Sequence, residues 1–164
     1  MDSKHNSPKA YLETQVLTAA PEQLQLMLYD GAIRFCEQAR GAIETKEIEK
    51  SYQLLSKAEN IILELLNSMR DEIAPETCAN MRRLYLYCYE QLVEANLKKE
   101  LKAVESALEV LRHLRETWVM LMDRLKAEQA EQQGEGEMAA VTGGAGAVEN
   151  GLVQEVGATC NFEG

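Results

Sequence analysis

The sequence has 164 residues, which suits one domain and a tail. Its formal net charge of −10 argues against nucleic acid as a partner. No apolar run approaches the ~18 residues that a membrane span needs, and the polar first ten residues indicate no signal peptide. The four Cys follow no regular spacing, which predicts reduced thiols, most of them packed in a core.

Residues 1–20 are expected to form a mobile N-terminus that ends in an apolar lid segment. Residues 1–10 are mostly polar, whereas Tyr11, Val16 and Leu17 provide apolar side chains on a segment too short to fold alone. We expect these three side chains to occupy a partner-binding groove in the free protein. The alternative is that Tyr11 and Val16 are ordinary core residues that never move.

The first bundle helix is expected to run from Pro21 to Gly41. Proline suits the first helical position, since its missing N–H has no helical partner there, and Glu22 opposes the helix dipole. Apolar residues then recur at steps of three and four, the spacing of one helix face: Leu24, Met27, Leu28, Gly31 and Phe35. Gly31 costs up to about 1 kcal/mol of helix stability, so it suits a place where another helix approaches closely. Leu24, Met27 and Leu28 are candidate partner-binding residues.

The second helix is expected to begin after Thr45, a good N-cap residue. The short connection between the first two helices favours antiparallel neighbours. Its expected inner face consists of Ile48, Tyr52, Leu55, Ile62, Leu66 and Met69.

A third helix is expected to open at Pro75 and to stop near Asn96. Its apolar residues form a heptad seam: Cys78, Met81, Tyr85, Cys88, Leu92 and Ala95. Tyr87 points about 160° away from this seam. It is therefore either a candidate partner-binding residue or simply half-exposed to water.

The fourth helix is expected to run from near Lys99 to about Gln129. Its apolar stripe is wider around Trp118 and Met122 than the roughly three positions in seven that a bundle helix needs. This surplus favours a binding groove or an oligomer interface, the alternative being a well-buried central helix. Trp118 and Met122 are therefore candidate partner-binding residues.

Residues 131–164 are expected to be a disordered acidic tail. They hold eight of the ten Gly and six Glu but no Lys or Arg. Such a composition buries too little apolar surface to offset the entropy of ordering the chain.

No group of residues predicts catalysis, a metal site or a cofactor site. Glu109 and His113 lie four residues apart, which is typical of a surface ion pair, and the Glu-x-x-His repeats of di-iron bundles are absent. No Gly-rich loop joins a strand to a helix, so no phosphate site is predicted. The sequence thus predicts a protein without enzymatic activity.

Three segments carry a resemblance to a known family. They are YLETQVLTAAPEQLQLMLYDGAIRF at 11–35, LYLYCYEQLVEAN at 84–96 and LRETW at 114–118. Together they resemble the flagellin-specific export chaperones of bacteria, the FliS family. The resemblance implies a cytosolic chaperone that holds the C-terminal segment of flagellin in an apolar groove. It would prevent premature polymerisation until the client reaches the flagellar type III export apparatus.

The sequence as a whole predicts an all-α protein, an antiparallel four-helix bundle over residues 21–130. The N-terminal lid segment and the C-terminal tail flank this bundle. Expected partners are flagellin and the export apparatus, with a second copy of the chain in the free state, and neither nucleic acid nor membrane insertion is expected. The alternative function is a structural helical-bundle adaptor or oligomerisation module without a client peptide.

Overall fold

The computed structural model describes residues 8–70, 72 and 75–142, and side chains as far as residue 133. This part of the chain is helical and contains no strand, which confirms the all-α prediction. None of its helices is long and apolar enough to cross a membrane. The helices are α1 (Pro8–Thr18), α2 (Pro21–Glu44), α3 (Ile48–Asn67), α4 (Pro75–Lys98) and α5 (Leu101–Thr142).

Helices α2 to α5 form the antiparallel bundle that the sequence predicts. Three hydrogen bonds join α5 to α2. Trp118 bonds to Glu22, Arg115 to Asp30 and Arg112 to Glu37, so residue numbers fall along α5 as they rise along α2 and the two helices are antiparallel. The core is almost entirely apolar and includes residues from all four helices: Tyr29, Ala32, Cys36, Leu55, Ile62, Leu65, Tyr85, Cys88, Leu92, Val104, Leu108 and Leu111.

Helix α2 begins at Pro21 as expected but does not stop at Gly41. The chain leaves the helix at Lys46, whose φ of 59° is left-handed. The N–H of Lys46 bonds to the carbonyl of Ile43 and that of Glu47 to the carbonyl of Ala42, at 3.0 and 2.8 Å. This pair of bonds is a Schellman motif with lysine in the position that usually holds glycine. Gly41 is an interior residue of the helix.

Thr45 does not cap the second bundle helix. Its hydroxyl donates to the carbonyl of Gly41 at 3.0 Å, so Thr45 closes α2. The residue before α3 is Glu47, whose side chain makes no capping bond to the helix. The prediction of a Thr45 N-cap was therefore wrong, because the left-handed residue that reverses the chain comes after Thr45.

The inner face of α3 is centred on Ser51, not on Tyr52. Ser51 is fully buried, and its hydroxyl donates to the carbonyl of Ile48 at 2.8 Å, so it needs no other partner. Tyr52 is rotated by about 100° from Ser51 and is 58% exposed. The predicted inner face was correct for Leu55 and Ile62 but wrong for Ile48 and Tyr52.

The seam predicted on the third helix is confirmed as α4. Tyr85, Cys88, Leu92 and Ala95 are buried. Met81 packs against the core from a partly buried position. Cys36 and Cys88 are free, buried thiols and Cys78 is a half-buried one, as expected, whereas Cys160 lies outside the described residues.

Two predictions about the chain ends were wrong in part. The segment before Pro21, expected to be a mobile lid segment too short to fold alone, forms a helix of its own, α1. Helix α5 continues to Thr142, twelve residues into the segment predicted to be disordered, and residues 143–164 lie outside the described part. The compact unit that contains the bundle ends at Leu125, and residues 126–142 belong to a second unit.

A hydrogen-bonded tyrosine pair crosses the apolar core. The hydroxyls of Tyr29 and Tyr85 lie 2.5 Å apart, and Gln25 donates to both at 3.2 Å. Both tyrosines are at most 1% exposed. Burial raises the pKa of Tyr85, and the Tyr29 hydroxyl raises it further. Because each hydroxyl has a partner, the pair fixes α2 against α4 without leaving a polar group unsatisfied.

The two glycines of α2, Gly31 and Gly41, differ in the space available for a β-carbon. A Cβ at Gly41 would meet nothing within 4 Å, whereas one at Gly31 would lie 3.2 Å from Cδ1 of Ile61 on α3. We expect Gly41→Ala to raise the free energy of unfolding by about 0.5–1 kcal/mol, since alanine suits a helix interior better. Gly31→Ala should gain less, because Ile61 must shift. Urea unfolding measures both, and equal gains would contradict the close approach of α3.

The buried thiols predict a loss of stability at alkaline pH. Burial raises the pKa of Cys36 and of Cys88 to about 12 each, whereas an unfolded Cys titrates near 8.5. The unfolded chain therefore loses these protons first, so stability is intact below about pH 8.5 and declines as the pH rises toward 12. The Cys36→Ala/Cys88→Ala variant should decline less steeply between about pH 8.5 and 10. Thermal unfolding across this range measures the slope, and identical slopes would contradict the prediction.

Candidate functional site

The antiparallel bundle has two ends with different side chains. At the end that carries α1, α2 begins, α3 ends, α4 begins and residues 118–125 of α5 pass by. We call this the α1 end. The opposite end contains the two turns at residues 45–47 and 99–100, and we call it the turn end.

The core-facing stripe of α5 continues beyond the part that other helices cover. We define the α5 stripe as Leu111, Leu114, Trp118, Leu121 and Leu125, which follow one another at steps of three and four. Leu111 and Leu114 are 0% and 5% exposed, whereas Leu121 and Leu125 are 44% and 41% exposed. A stripe whose apolar residues recur every 3.5 residues on average is the face of a helix that packs against another helix. The part of the stripe at Leu111 and Leu114 is covered by the bundle, whereas the part at Leu121 and Leu125 is open at the α1 end.

Trp118 lies at the transition between the covered and the open part of this stripe. Its ring packs against the core from a partly buried position. Its Nε1–H donates to the carbonyl of Glu22 at 3.1 Å, which fixes α5 to the first turn of α2. Met122, one turn further along α5, is half-buried. Trp118 and Met122, both expected to be partner-binding residues, thus lie on adjacent turns of α5 in partly buried positions.

Two ion pairs, formed by residues of α5 that precede Trp118, hold α5 beside α2. Arg115 bonds to Asp30, and Arg112 to Glu37 at 2.7 Å. The hydrogen bond to Asp30 raises the pKa of Arg115. All four side chains are more than 40% exposed, so each pair contributes no more than about 1 kcal/mol. Their role is to align the two helices and so to fix the direction of the α5 stripe.

Helix α1 presents its apolar side chains to solvent. Tyr11, Val16 and Leu17 are 67%, 42% and 85% exposed, and Leu12 is 43% exposed. No residue of α1 is buried. The expectation that Tyr11, Val16 and Leu17 occupy a groove in the free protein therefore does not match this structure. Because only residues 19 and 20 separate α1 from α2, these side chains are tethered at the α1 end.

The remaining candidate residues lie on other faces. Leu24 and Leu28 are half-buried and share a helix face with Gly31, which meets Ile61 of α3. The α2 residues that bond to α5, Asp30 and Glu37, lie on another face. Met27 is also half-buried. Tyr87 is 42% exposed on the outer side of α4. The nine predicted residues therefore do not form one surface.

A family model for the flagellar protein FliS matches residues 4–125 of the chain. The chain belongs to the FliS family. The matched range covers α1 to α4 and the whole α5 stripe, and it ends where the compact bundle unit ends. The resemblance stated from the sequence is thus confirmed.

Curated relatives support membership of the FliS family. The flagellar secretion chaperone FliS of Bacillus subtilis is 34% identical over 134 residues, which cover 82% of this chain and 97% of the relative. The flagellar secretion chaperone FliS of Salmonella typhimurium is 32% identical over 127 residues, covering 74% and 94%. These relatives are chaperones and not enzymes, which confirms that the chain is not an enzyme.

A solved structure described as a flagellar chaperone from bacteria has the same fold. It superposes with a TM-score of 0.61 and covers 71% of this chain and 97% of its own. At 18% sequence identity the likeness concerns the fold alone. It confirms the helical-bundle fold.

The candidate partner-binding residues left out four exposed apolar residues near the α1 end of this FliS-family chain. They are Leu12, Met120, Leu121 and Leu125, which are between 41% and 58% exposed. The signal for Leu121 and Leu125 was present, because both continue the three-four spacing from Leu111. Their exposure could not be deduced, since it depends on where the neighbouring helices end. Within the described residues, no cluster of three His, Cys, Asp or Glu side chains could hold a metal ion.

Proposed function

We propose that the chain binds the C-terminal segment of flagellin along the open part of the α5 stripe, and that it acts in the cytosol. Binding would keep flagellin from polymerising until the flagellar type III export apparatus receives it. Family membership supports a secretion chaperone. One observation supports this site. The apolar residues of α5 keep their heptad spacing from Trp118 to Leu125 although Leu121 and Leu125 are exposed, whereas Leu111 and Leu114 on the same face are buried in the bundle.

The geometry of the α5 stripe suits an amphipathic helix as client. A helix that lays its apolar face in a groove uses anchors at i, i+3, i+4 and i+7, and the open residues of the stripe repeat at the same steps. Trp118 offers a large ring at the base of this surface, held in place by its bond to Glu22. Aromatic anchors of this kind often dominate a binding interface.

The charged residues beside the stripe align α5 with α2 and are not free to bind a charged client. Arg115 and Arg112 are both engaged with carboxylates of α2. The recognition that remains is mainly apolar, which produces a negative heat-capacity change on binding. A client that becomes helical as it binds loses part of the interaction energy to ordering. Such a complex can be released at the export apparatus without nucleotide hydrolysis by this chain.

Calorimetry with a synthetic flagellin C-terminal peptide tests the proposed function. We expect saturable binding to the full chain with a negative heat-capacity change, and no saturable heat with a scrambled peptide of equal composition. Light scattering should also show that stoichiometric chaperone suppresses polymerisation of full-length flagellin. Equal heats for the two peptides, or unchanged polymerisation, would favour the structural-adaptor alternative.

A further inference from the structure

The methionines whose side chains the structure describes all lie at the α1 end of the bundle. Two lie in the second turns of α2 and α4, one follows the last turn of α3, and two lie in the part of α5 that passes this end: Met27, Met81, Met69, Met120 and Met122. The buried side chains toward the turn end are instead mainly leucine, valine, alanine and cysteine. Methionine is therefore concentrated where the proposed client surface lies.

Packing of the core accounts for only part of this concentration. Met69 and Met81 pack against the core, where the flexible thioether side chain fills gaps between helices. Met122 is half-buried outside the core cluster, and Met120 is 58% exposed. Leucine would suit a helix as well as methionine does at these two positions. The fold therefore does not require methionine at 120 and 122, beside the open part of the α5 stripe.

Met122 and Met120 lie on different sides of α5. Met122 is rotated by about 40° from Trp118 and by about 60° from Leu125, so it shares the face of the open stripe. Met120 is rotated by about 160° and 140° from the same two residues, which places it on the opposite side of the helix. A client that covers the open part of the stripe would therefore cover Met122 and leave Met120 in water.

From this placement we infer that Met122 is a modification site, at which oxidation by hydrogen peroxide weakens client binding. The inference rests on the proposed function, which makes the open part of the α5 stripe the client surface. In the reaction the thioether sulfur attacks one oxygen of the peroxide, so that the O–O bond breaks and an S–O bond forms. The sulfur loses two electrons and the peroxide gains them. The second oxygen leaves as water with both protons.

The sulfoxide is tolerated in the free chain but weakens the complex. Met122 is half-buried, so water can still hydrate the new oxygen while the surface is open. A client on the stripe removes that water, and the neighbours of Met122 along α5 replace it poorly. Val119 and Leu125 carry no hydrogen-bond donor, the Trp118 N–H already bonds to α2, and Lys126 is exposed. Because a polar oxygen buried without a donor is unfavourable, the oxidised chain holds the client less tightly.

Peroxide treatment of the full chain, followed by calorimetry with the flagellin C-terminal peptide, tests this inference. A thiol reductant is added after the peroxide, so that oxidised cysteines return to thiols while the sulfoxides remain. We expect the treated chain to bind the peptide about tenfold more weakly, the order of effect of burying an unpaired polar group. Methionine sulfoxide reductases A and B should restore the affinity. Circular dichroism should show unchanged helix content, and a loss of helix would contradict the inference.

Met122→Leu and Met120→Leu are a matched pair of variants. Both replace a methionine by a residue that peroxide does not oxidise, and exchanges of this kind cost little stability. The affinities before and after treatment are compared within each variant, so a change in the starting affinity does not affect the result. Met122→Leu should keep its affinity on treatment, whereas Met120→Leu should lose affinity as the original chain does.

Oxidation in the presence of the flagellin peptide provides a second measurement. Mass spectrometry of proteolytic fragments reports the oxidised fraction at each methionine. In the free chain Met120 should be oxidised faster than Met122, because it is the more exposed of the two. Saturating peptide should slow the oxidation of Met122 and leave the rate at Met120 unchanged.

Two results would overturn this inference alone. One is an unchanged affinity when Met122 is fully oxidised. The other is an equal loss of affinity in the two variants, which would assign the effect to another methionine, such as Met1 or Met138. Two further results would overturn the proposed function as well. They are a bound peptide that does not protect Met122, and an untreated chain that does not bind the peptide.

Discussion

Trp118→Ala should weaken binding of the flagellin peptide by about 30-fold or more. Central aromatic anchors contribute about 2 kcal/mol or more on truncation to alanine. Trp118 occupies that position on the α5 stripe, where the covered part meets the open part. Its loss also removes the bond to the Glu22 carbonyl that aligns α5 with α2. Calorimetry at a temperature where the variant is fully folded measures the change in affinity.

Leu114→Ala is the matched control for this experiment. Leu114 precedes Trp118 on the α5 stripe and is only 5% exposed, so it belongs to the core and not to the open surface. Its truncation should lower the free energy of unfolding by about 2–5 kcal/mol and leave the affinity of the folded protein nearly unchanged. Trp118→Phe separates the ring from its N–H group and should retain most of the affinity. If Trp118→Ala binds as tightly as Leu114→Ala, the client lies elsewhere.

The positions of the bundle helices were predictable because local signals and periodicity agreed. Pro21 and Pro75 open α2 and α4 where the sequence placed them. The seam on α4 persisted over enough turns to outweigh the strand-like spacing of LYLYCY. Gly31 also behaved as expected, since Cδ1 of Ile61 on α3 lies 3.2 Å from where a β-carbon of residue 31 would be.

Helix ends and polar core residues were less predictable. Gly41 suggested a helix stop, yet the left-handed residue that reverses the chain is Lys46. Lysine has no strong preference for that conformation, so nothing local distinguishes Lys46 from its neighbours. Ser51 was missed as a core residue because its hydroxyl bonds within its own helix, a partner that hydropathy does not reveal.

The candidate site was predictable only as an excess of apolar residues. The width of the apolar stripe around Trp118 left three readings open: a binding groove, an oligomer interface or a well-buried central helix. It could not show that the covered length ends at Leu114, because that depends on the lengths and crossing points of three other helices. For the same reason, Ile48 and Tyr52 were assigned to the core although they lie at the turn end, outside the buried arc of α3.

Deleting residues 1–18 should weaken binding of the flagellin peptide about tenfold and leave the melting temperature of the bundle nearly unchanged. No side chain of α1 is buried, so the bundle loses no core when α1 is removed. Tyr11, Val16 and Leu17 are exposed, and a two-residue connection joins α1 to the first turn of α2, to which Trp118 bonds. From there they can close over a bound client from outside. A tenfold loss corresponds to about 1.4 kcal/mol, which is less than burial of one such side chain contributes.

A chain that carries Tyr11→Ser, Val16→Ser and Leu17→Ser is the control for this deletion. It keeps the length of the N-terminus but removes the apolar contacts, so it should bind as weakly as the truncated chain. Circular dichroism and thermal unfolding report stability, and calorimetry reports affinity. Equal or tighter binding after deletion would mean that α1 competes with the client as a lid. A sharp fall in melting temperature would instead show that these residues belong to the core, because only buried side chains stabilise the bundle to that extent.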